Sequence, residues 1–329
     1  MNGEYTVYSP KMGIPKNTKI IYLDQNAWIE ISRFKEGETS FCDKDLFDQI
    51  IEVRDSGKAI FPVSFTHLLE ISAINKIEQR KSLLPIMLDI SQFYTFKQDY
   101  NAIIGFEVEN LVLKKLGLPL INIRHTLVGK GVLDFMRSSL TVSSKTLSSD
   151  TLEIMSQILL KKLANPEIVS EIMTKIPRQK IEKDELKNFE DMRQHLKKFN
   201  TYKQRRYISF WINTEKTILP LLYSSLKRLN VSDTALFAKK IIAGDIEKFF
   251  AELPTALCYF TLLFQMTEPY SRKFTVNDLY DIWHLALSIP YCDIVVTDKY
   301  CTSIVKQTKL DTICGTKILS SISDLSKIL

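Results

Sequence analysis

Two short apolar runs, one near each end of the chain, constrain the fold most strongly. Ile20–Leu23 and Ile294–Thr297 show no alternation of apolar and polar side chains. Such continuity is typical of strands buried on both faces, as in a parallel sheet covered by helices. A third run, Ala59–Ser64, predicts another short strand, and helical patterns lie between these runs. The sequence therefore predicts an α/β fold with a mainly parallel central sheet, assembled from residues near both ends of the chain.

The middle of the chain has a different character. Residues 132–243 contain no glycine, and their apolar residues recur at helical spacing. The prolines at positions 166, 177 and 220 would separate helices rather than interrupt strands. We expect residues 82–270 to form a mostly helical insertion or subdomain. Residues 1–81 and 271–329 would then form one discontinuous core.

Composition restricts the class of protein. With 45% hydrophobic and 25% charged residues, the 329-residue chain is typical of a globular protein with a sizeable core. The five cysteines show no metal-binding spacing, which favours reduced thiols. The longest apolar run, Ala256–Met266, is shorter than the ~20 residues of a membrane helix, and the first residues lack the apolar stretch of a signal peptide. We therefore expect a cytoplasmic protein without membrane contact.

Both terminal runs end in an aspartate. Asp24 follows the first run, and Asp298 follows the late one. The carboxyl ends of strands in open parallel sheets line one crevice, which is where ligands bind. If both strands belong to one sheet, these two carboxylates lie at the same edge.

Two further acids are expected on helices that face this edge. Glu70 shares a predicted helix row with Ile74 and Ile77, so it would lie on a face that is otherwise apolar. Asp281 lies one turn before His284 on a predicted amphipathic helix near the end of the chain. Four carboxylates would then converge on one pocket.

Such a cluster has a chemical implication. Buried carboxylates repel one another and lose hydration, so they are tolerated where protons or cations fill the site. Oxygen ligands without cysteine suit Mg²⁺ or Mn²⁺ rather than zinc. These ions activate water and stabilise charge during phosphodiester hydrolysis. We therefore expect Asp24, Glu70, Asp281 and Asp298 to bind Mg²⁺ or Mn²⁺ and to be the catalytic residues.

Structural roles are the alternative for the same acids. Asp24 could cap the helix that follows it, and Asp298 could cap the helix after the late strand. Glu70 could be a partly solvated acid paired with His67 or Lys76. These alternatives stay open at the level of sequence.

The late helix raises two more choices. Asp278 fits a capping box with Thr275, so Asp281, one turn further in, is the better candidate for a ligand. His284 could act as a general base near neutral pH. A lone histidine on an amphipathic helix is, however, more often packed and hydrogen-bonded. The other three histidines show no spacing that suggests a partner.

A basic segment could contact a polyanion. Between Lys175 and Arg206 there are eleven Lys or Arg residues against five Asp or Glu, an excess equal to the net charge of +6 of the whole chain. Lys203, Arg205 and Arg206 lie among aromatic residues, which could stack on unpaired bases while the cations neutralise phosphates. The alternative is a solvated helix whose aromatic side chains pack inward.

Three segments together resemble the PIN-like nuclease family. They are "YLDQNAW" early in the chain, "SFTHLLE" after the second strand and "DIWHLALSIPYCDIVVTDKY" near the end. The resemblance implies an α/β/α sandwich and a metal-dependent nuclease that acts mostly on RNA. The family's four acids match Asp24, Glu70, Asp281 and Asp298, and its polar partner of the first acid matches Asn26, a candidate for substrate binding.

The resemblance covers residues 18–80 and 275–329, and the large helical insertion departs from it. The function that the resemblance implies is a metal-dependent endoribonuclease, in a toxin or phage-defence setting. In such a setting an inhibitor or antitoxin protein is a further expected partner. A homo-oligomer would be compatible with this function. The alternatives are a catalytically inactive PIN-like module that binds RNA or protein, and a structure-selective DNA nuclease. RNA is the favoured nucleic acid.

Overall fold

The computed structural model describes residues 3–7, 14–15, 17–74, 76–136, 140–144, 148–163, 165, 167–168, 171, 183–242, 246–268 and 270–329. Its strands are β1 (Gly3–Val7), β2 (Lys19–Leu23), β3 (Ala59–Ile60), β4 (Val63–Ser64), β5 (Tyr94–Phe96), β6 (Val128–Lys130), β7 (Leu140–Ser144), β8 (Ile294–Val296) and β9 (Lys317–Leu319).

The helices of the first half are α1 (Gln25–Lys35), α2 (Lys44–Asp55), α3 (Phe65–Ala73), α4 (Ile77–Ser91), α5 (Tyr100–Leu116), α6 (Ile123–Leu127), α7 (Val132–Met136) and α8 (Ser149–Leu163). Those of the second half are α9 (Lys183–Leu196), α10 (Tyr202–Asn213), α11 (Leu219–Arg228), α12 (Thr234–Ile242), α13 (Ile246–Ala251), α14 (Pro254–Thr267), α15 (Val276–Tyr291), α16 (Lys299–Thr308) and α17 (Leu310–Cys314). A π-helical turn (Thr214–Ile218) joins α10 to α11, and a 3₁₀ helix (Ile322–Lys327) follows β9.

A four-stranded parallel sheet forms the centre of this α/β fold. Its order is β3-β2-β8-β9, so it is built from residues near both ends of the chain, as predicted. The register pairs Leu23 of β2 with Val296 of β8. Asp24 and Asp298 therefore leave the same edge of the sheet from neighbouring strands.

Apolar side chains pack against both faces of the sheet. Ile20 and Tyr22 of β2 belong to one hydrophobic cluster, together with residues of α5, α14 and α15. Ile21 and Leu23 belong to a second cluster with residues of α1, α2 and α4. This alternation explains why the run shows no polar position, since both faces of β2 are covered. It also places helices from the middle of the chain in the same core as the sheet.

The predicted single strand Ala59–Ser64 is two strands in different sheets. β3 extends the central sheet, whereas β4 joins a second sheet of order β4-β5-β6. Pro62 lies between them, and a proline cannot donate a ladder hydrogen bond. The chain therefore leaves the central sheet at Pro62 and enters the second sheet at Val63.

The helix that carries Glu70 is shorter than predicted. It ends at Ala73, where Ile74 has an extended backbone, and α4 begins only at Ile77. The predicted row of Glu70, Ile74 and Ile77 along one helix is therefore wrong. β-Branched residues lose side-chain freedom in helices, which makes an end at Ile74 less costly.

The described residues between 82 and 270 are mostly helical but also contribute β5, β6 and β7. Such strands, of three and five residues, are too short to show a clear period in the sequence. The predicted boundary between residues 81 and 82 falls inside α4, so the structure shows no break there.

Two composition-based expectations can be compared with the structure. All five cysteines are free thiols. In the described part of the chain, no helix combines the length and apolar character needed to cross a bilayer.

Candidate functional site

A cavity of about 670 Å³ opens at the carboxyl ends of β2 and β8. All four acids predicted from the sequence line it, although they come from four separate elements of the chain. Among the described residues, the wall carries five carboxylates and one arginine, Arg272. The acidic residues on the wall are Asp24, Glu70, Asp278, Asp281 and Asp298.

Asp24 and Asp298 both cap helices at this edge. The N–H of Ala27 donates to Oδ1 of Asp24 over 3.1 Å, and the N–H of Cys301 donates to Oδ1 of Asp298 over 2.7 Å. The predicted capping roles are therefore confirmed. Each cap uses one oxygen, and the Thr297 hydroxyl also hydrogen-bonds to Asp24. Capping fixes the rotamer of each carboxylate while its side chain still lines the cavity.

Burial and mutual repulsion favour the protonated forms of three of these acids. Burial raises the pKa of Asp24 to about 7, and the charges of Glu70 and Asp298 add to the rise. Burial raises the pKa of Glu70 to about 8. Burial, followed by the charges of Glu70, Asp298 and Asp24, raises the pKa of Asp281 to about 8. Near neutral pH a divalent cation can therefore replace protons at this wall.

A buried chain of hydrogen bonds ends on Glu70. The N–H of Ser64 donates to Nδ1 of His67 over 3.0 Å, so the His67 proton lies on Nε2, 3.1 Å from the Tyr22 hydroxyl. Tyr22 can then donate to Nδ1 of His284. The remaining proton of His284, on Nε2, points to Oε2 of Glu70 over 3.1 Å. Each link fixes the tautomer of the next, and the last one orients the Glu70 carboxylate.

The imidazoles of His67 and His284 are both neutral in this series of hydrogen bonds. Burial lowers the pKa of His284 to about 3, and burial together with the neighbouring His284 lowers the pKa of His67 well below its ordinary value. The interpretation of His284 as a packed, hydrogen-bonded residue is confirmed, and its ring is engaged at both nitrogens. The spacing of the histidines in the sequence does not indicate the proximity of His67 to His284, whose ring centroids lie 4.8 Å apart.

A sequence signal for His67 was present. Ser64 and His67 form the capping box of α3, in which a histidine replaces the usual Glu or Gln. A histidine that closes such a box turns its ring back towards the first residue of the helix, where His67 also meets the Tyr22 hydroxyl.

The histidines and Glu70 form a compact group. Among the described residues, His67, Glu70 and His284 bring one ligand atom each within 4.8 Å of one another. This trio could bind a metal ion, and nitrogen ligands would favour a transition metal over Mg²⁺. An ion there would compete with the hydrogen bonds to Tyr22 and Ser64. No three of the four predicted acids come as close within the described residues, so these acids surround a wider space.

Asp278 is satisfied by local partners. Its Oδ2 accepts hydrogen bonds of 2.7 Å from both the N–H and the hydroxyl of Thr275, which confirms the predicted capping box. Its Oδ1 accepts from Arg272, whose guanidinium also lies over the ring of Tyr300 at 4.5 Å. No sequence pattern singled out Arg272, because nothing before the capping box indicates that it turns towards the acids.

The predicted substrate-binding residues divide into two groups. Asn26 is exposed and lines the cavity beside the acids. Lys203, Arg205 and Arg206 do not line this cavity. The guanidinium of Arg205 pairs with Glu268 and donates to backbone oxygens. Residues 175–182 of the basic segment lie outside the described residues.

No protein-family model, curated protein or solved structure matches this chain. The relationship to PIN-like nucleases therefore stays a prediction from the sequence motifs quoted above.

Proposed function

We propose that this chain is a metal-dependent endoribonuclease with a PIN-like α/β/α core. The observation that carries the proposal is the convergence of Asp24, Glu70, Asp281 and Asp298 on one cavity from distant parts of the sequence. Enclosing this much negative charge is costly to the fold, and a catalytic metal site is a function that accounts for the cost.

The donor set fits Mg²⁺ or Mn²⁺. The four side chains offer oxygen ligands, and three of them have raised pKa values because they are buried or lie close to other carboxylates. A divalent cation bound by these acids would supply water activation and charge stabilisation for phosphodiester hydrolysis.

The remaining residues of the wall have distinct roles in this proposal. His284 orients Glu70 through a hydrogen bond and therefore acts as a positioning residue. Asn26 is exposed on the wall and can donate to a phosphate or a ribose hydroxyl of the RNA. Arg272, which pairs with Asp278 and lies over the ring of Tyr300, is the basic side chain among the described residues of the wall that can contact a phosphate.

The test is RNA cleavage in the presence of Mn²⁺ by the wild type, Asp24→Asn and Asp43→Asn. Asp43 caps α2 through the N–H of Leu46, just as Asp24 caps α1, but it does not line the cavity. Asparagine caps helices about as well as aspartate, so both variants should fold. We expect about a 100-fold or greater loss of cleavage in Asp24→Asn alone.

Equal cleavage by wild type and Asp24→Asn, in preparations free of other nucleases, would contradict the proposal. Metal-independent RNA binding without cleavage would instead favour an inactive binding module. Comparing RNA and DNA of one sequence separates the ribonuclease from a DNA nuclease, since only RNA has the 2′-hydroxyl. Growth arrest on expression that Asp24→Asn relieves would support a toxin or defence role.

A further inference from the structure

A second cavity, of about 400 Å³, lies along one face of α10. Within the part of the chain that the structure describes, it shares no residue with the acidic cavity. Helix α10 supplies its wall at positions spaced by one turn, which places them on a single face. The lining residues are Tyr202, Lys203, Arg206, Tyr207, Phe210, Phe250, Ala251, Leu257 and Ile313.

The walls of this pocket are aromatic and partly open to solvent. The Tyr207 side chain is 52% exposed and that of Tyr202 is 44% exposed. Phe210 and Phe250 are buried, and their rings meet edge to face at 5.1 Å. Buried rings thus form a fixed base, while the two tyrosines present ring surface to a ligand. A volume of this size accommodates a single nucleotide.

The described residues that line the pocket include two cations, Lys203 and Arg206. Lys203 is exposed, and the guanidinium of Arg206 lies 5.1 Å from the centre of the Phe210 ring. None of the described residues on its wall is acidic. Cations placed beside aromatic rings suit a ligand that combines a flat base with a phosphate. The neighbouring Arg205 does not line the pocket, and its guanidinium pairs with Glu268.

We propose that this pocket binds an unpaired nucleotide of single-stranded RNA. The base stacks on Tyr207, and Lys203 and Arg206 contact the adjoining phosphates. The identification of the polymer as RNA rests on the proposed function. The observations on the pocket itself do not depend on the carboxylates of the acidic cavity. The pocket therefore contributes to RNA affinity rather than to the chemical step.

The test measures binding of a fluorescent single-stranded RNA by anisotropy in EDTA, which prevents metal-dependent cleavage. The pocket variant is Lys203→Ala/Tyr207→Ala. The matched control is Tyr223→Ala/Lys227→Ala, which removes an exposed ring and an exposed lysine at the same spacing on α11. We expect the pocket variant to bind roughly 10- to 100-fold more weakly and the control to bind like the wild type. Thermal melting curves show whether either variant is destabilised.

Three results overturn the inference. They are equal RNA affinity of the pocket variant and the wild type, an equal loss in the control variant, and equally tight binding of an abasic strand with the same phosphates. The last result would show that charge alone attracts the polymer. If the wild type cleaves RNA but the pocket variant binds normally, only this inference fails. If the wild type binds RNA through the pocket but does not cleave it, only the proposed nuclease function fails.

Discussion

Asp24→Asn should stabilise the fold when divalent cations are removed, although it should abolish the proposed activity. In the wild type, burial and the neighbouring carboxylates raise the pKa of Asp24 to about 7. Ionised Asp24 is therefore unfavourable in the folded state. Asparagine keeps the helix cap to Ala27 and carries no charge, so it removes the repulsion without removing the cap.

The magnitude follows from the pKa shift. The folded-state pKa of about 7 exceeds the unfolded value near 3.8, so the folded chain retains this proton to higher pH. Wild-type stability then falls as pH rises from about 4 to 7 and changes no further above that. A shift of about 3 units corresponds to about 4 kcal/mol. Because Asp24 faces an open cavity where water screens the charge, we expect about 2 kcal/mol.

The assay is urea unfolding in EDTA at pH 4.5 and pH 8. The gain in unfolding free energy of Asp24→Asn over the wild type should be small at pH 4.5 and about 2 kcal/mol at pH 8. Asp43→Asn, which changes the cap of α2 outside the cavity, is the matched control for the loss of a capping carboxylate. A variant less stable than the wild type at pH 8 in EDTA would refute the reasoning, since it would show that ionised Asp24 is favourably bound within the protein.

Three further outcomes are expected. Tyr22→Phe removes the hydroxyl between His67 and His284 and should cost about 1 to 2 kcal/mol in urea unfolding; unchanged stability would contradict the hydrogen-bonded chain. Burial raises the pKa of Glu107 to about 7, so the unfolding free energy of the wild type falls between pH 4.5 and 7. Glu107→Gln should reduce that fall by roughly 3 kcal/mol in urea unfolding. An unaltered pH dependence would exclude Glu107 as its cause. Mn²⁺ at 100 times its dissociation constant should stabilise the wild type by about 2.7 kcal/mol but Asp24→Asn by much less. Thermal melting measures this difference. Equal increases in melting temperature for the two proteins would indicate that Mn²⁺ binds elsewhere.

The central sheet could be predicted because its strands carry an unambiguous pattern. Both faces of β2 are buried, so every position from Ile20 to Leu23 is apolar. The run Ala59–Ser64 predicts one strand, because Pro62 continues its apolar pattern. The structure divides this run between two sheets at Pro62, which has no N–H to donate. Strands as short as β5 and β6 leave no period to detect in the sequence.

The site could be predicted in part for a similar reason. Asp24 and Asp298 each follow the last residues of a parallel strand. Because parallel strands end at the same edge of the sheet, the positions of these two side chains could be predicted. The hydrogen-bonded chain from His67 through Tyr22 to His284 could not be inferred, because three separate elements supply it and Tyr22 reads as one more apolar residue of β2. Only the packing of α3 and α15 against that strand brings these side chains together.

Anomalous diffraction from crystals soaked in Mn²⁺ tests the proposed metal site most directly. We expect a manganese peak in the acidic cavity, within about 2.3 Å of oxygens from Asp24 and at least one of Asp281 and Asp298. A peak on the imidazoles of His67 and His284 without Asp24, or a cavity that takes up no manganese, would contradict it.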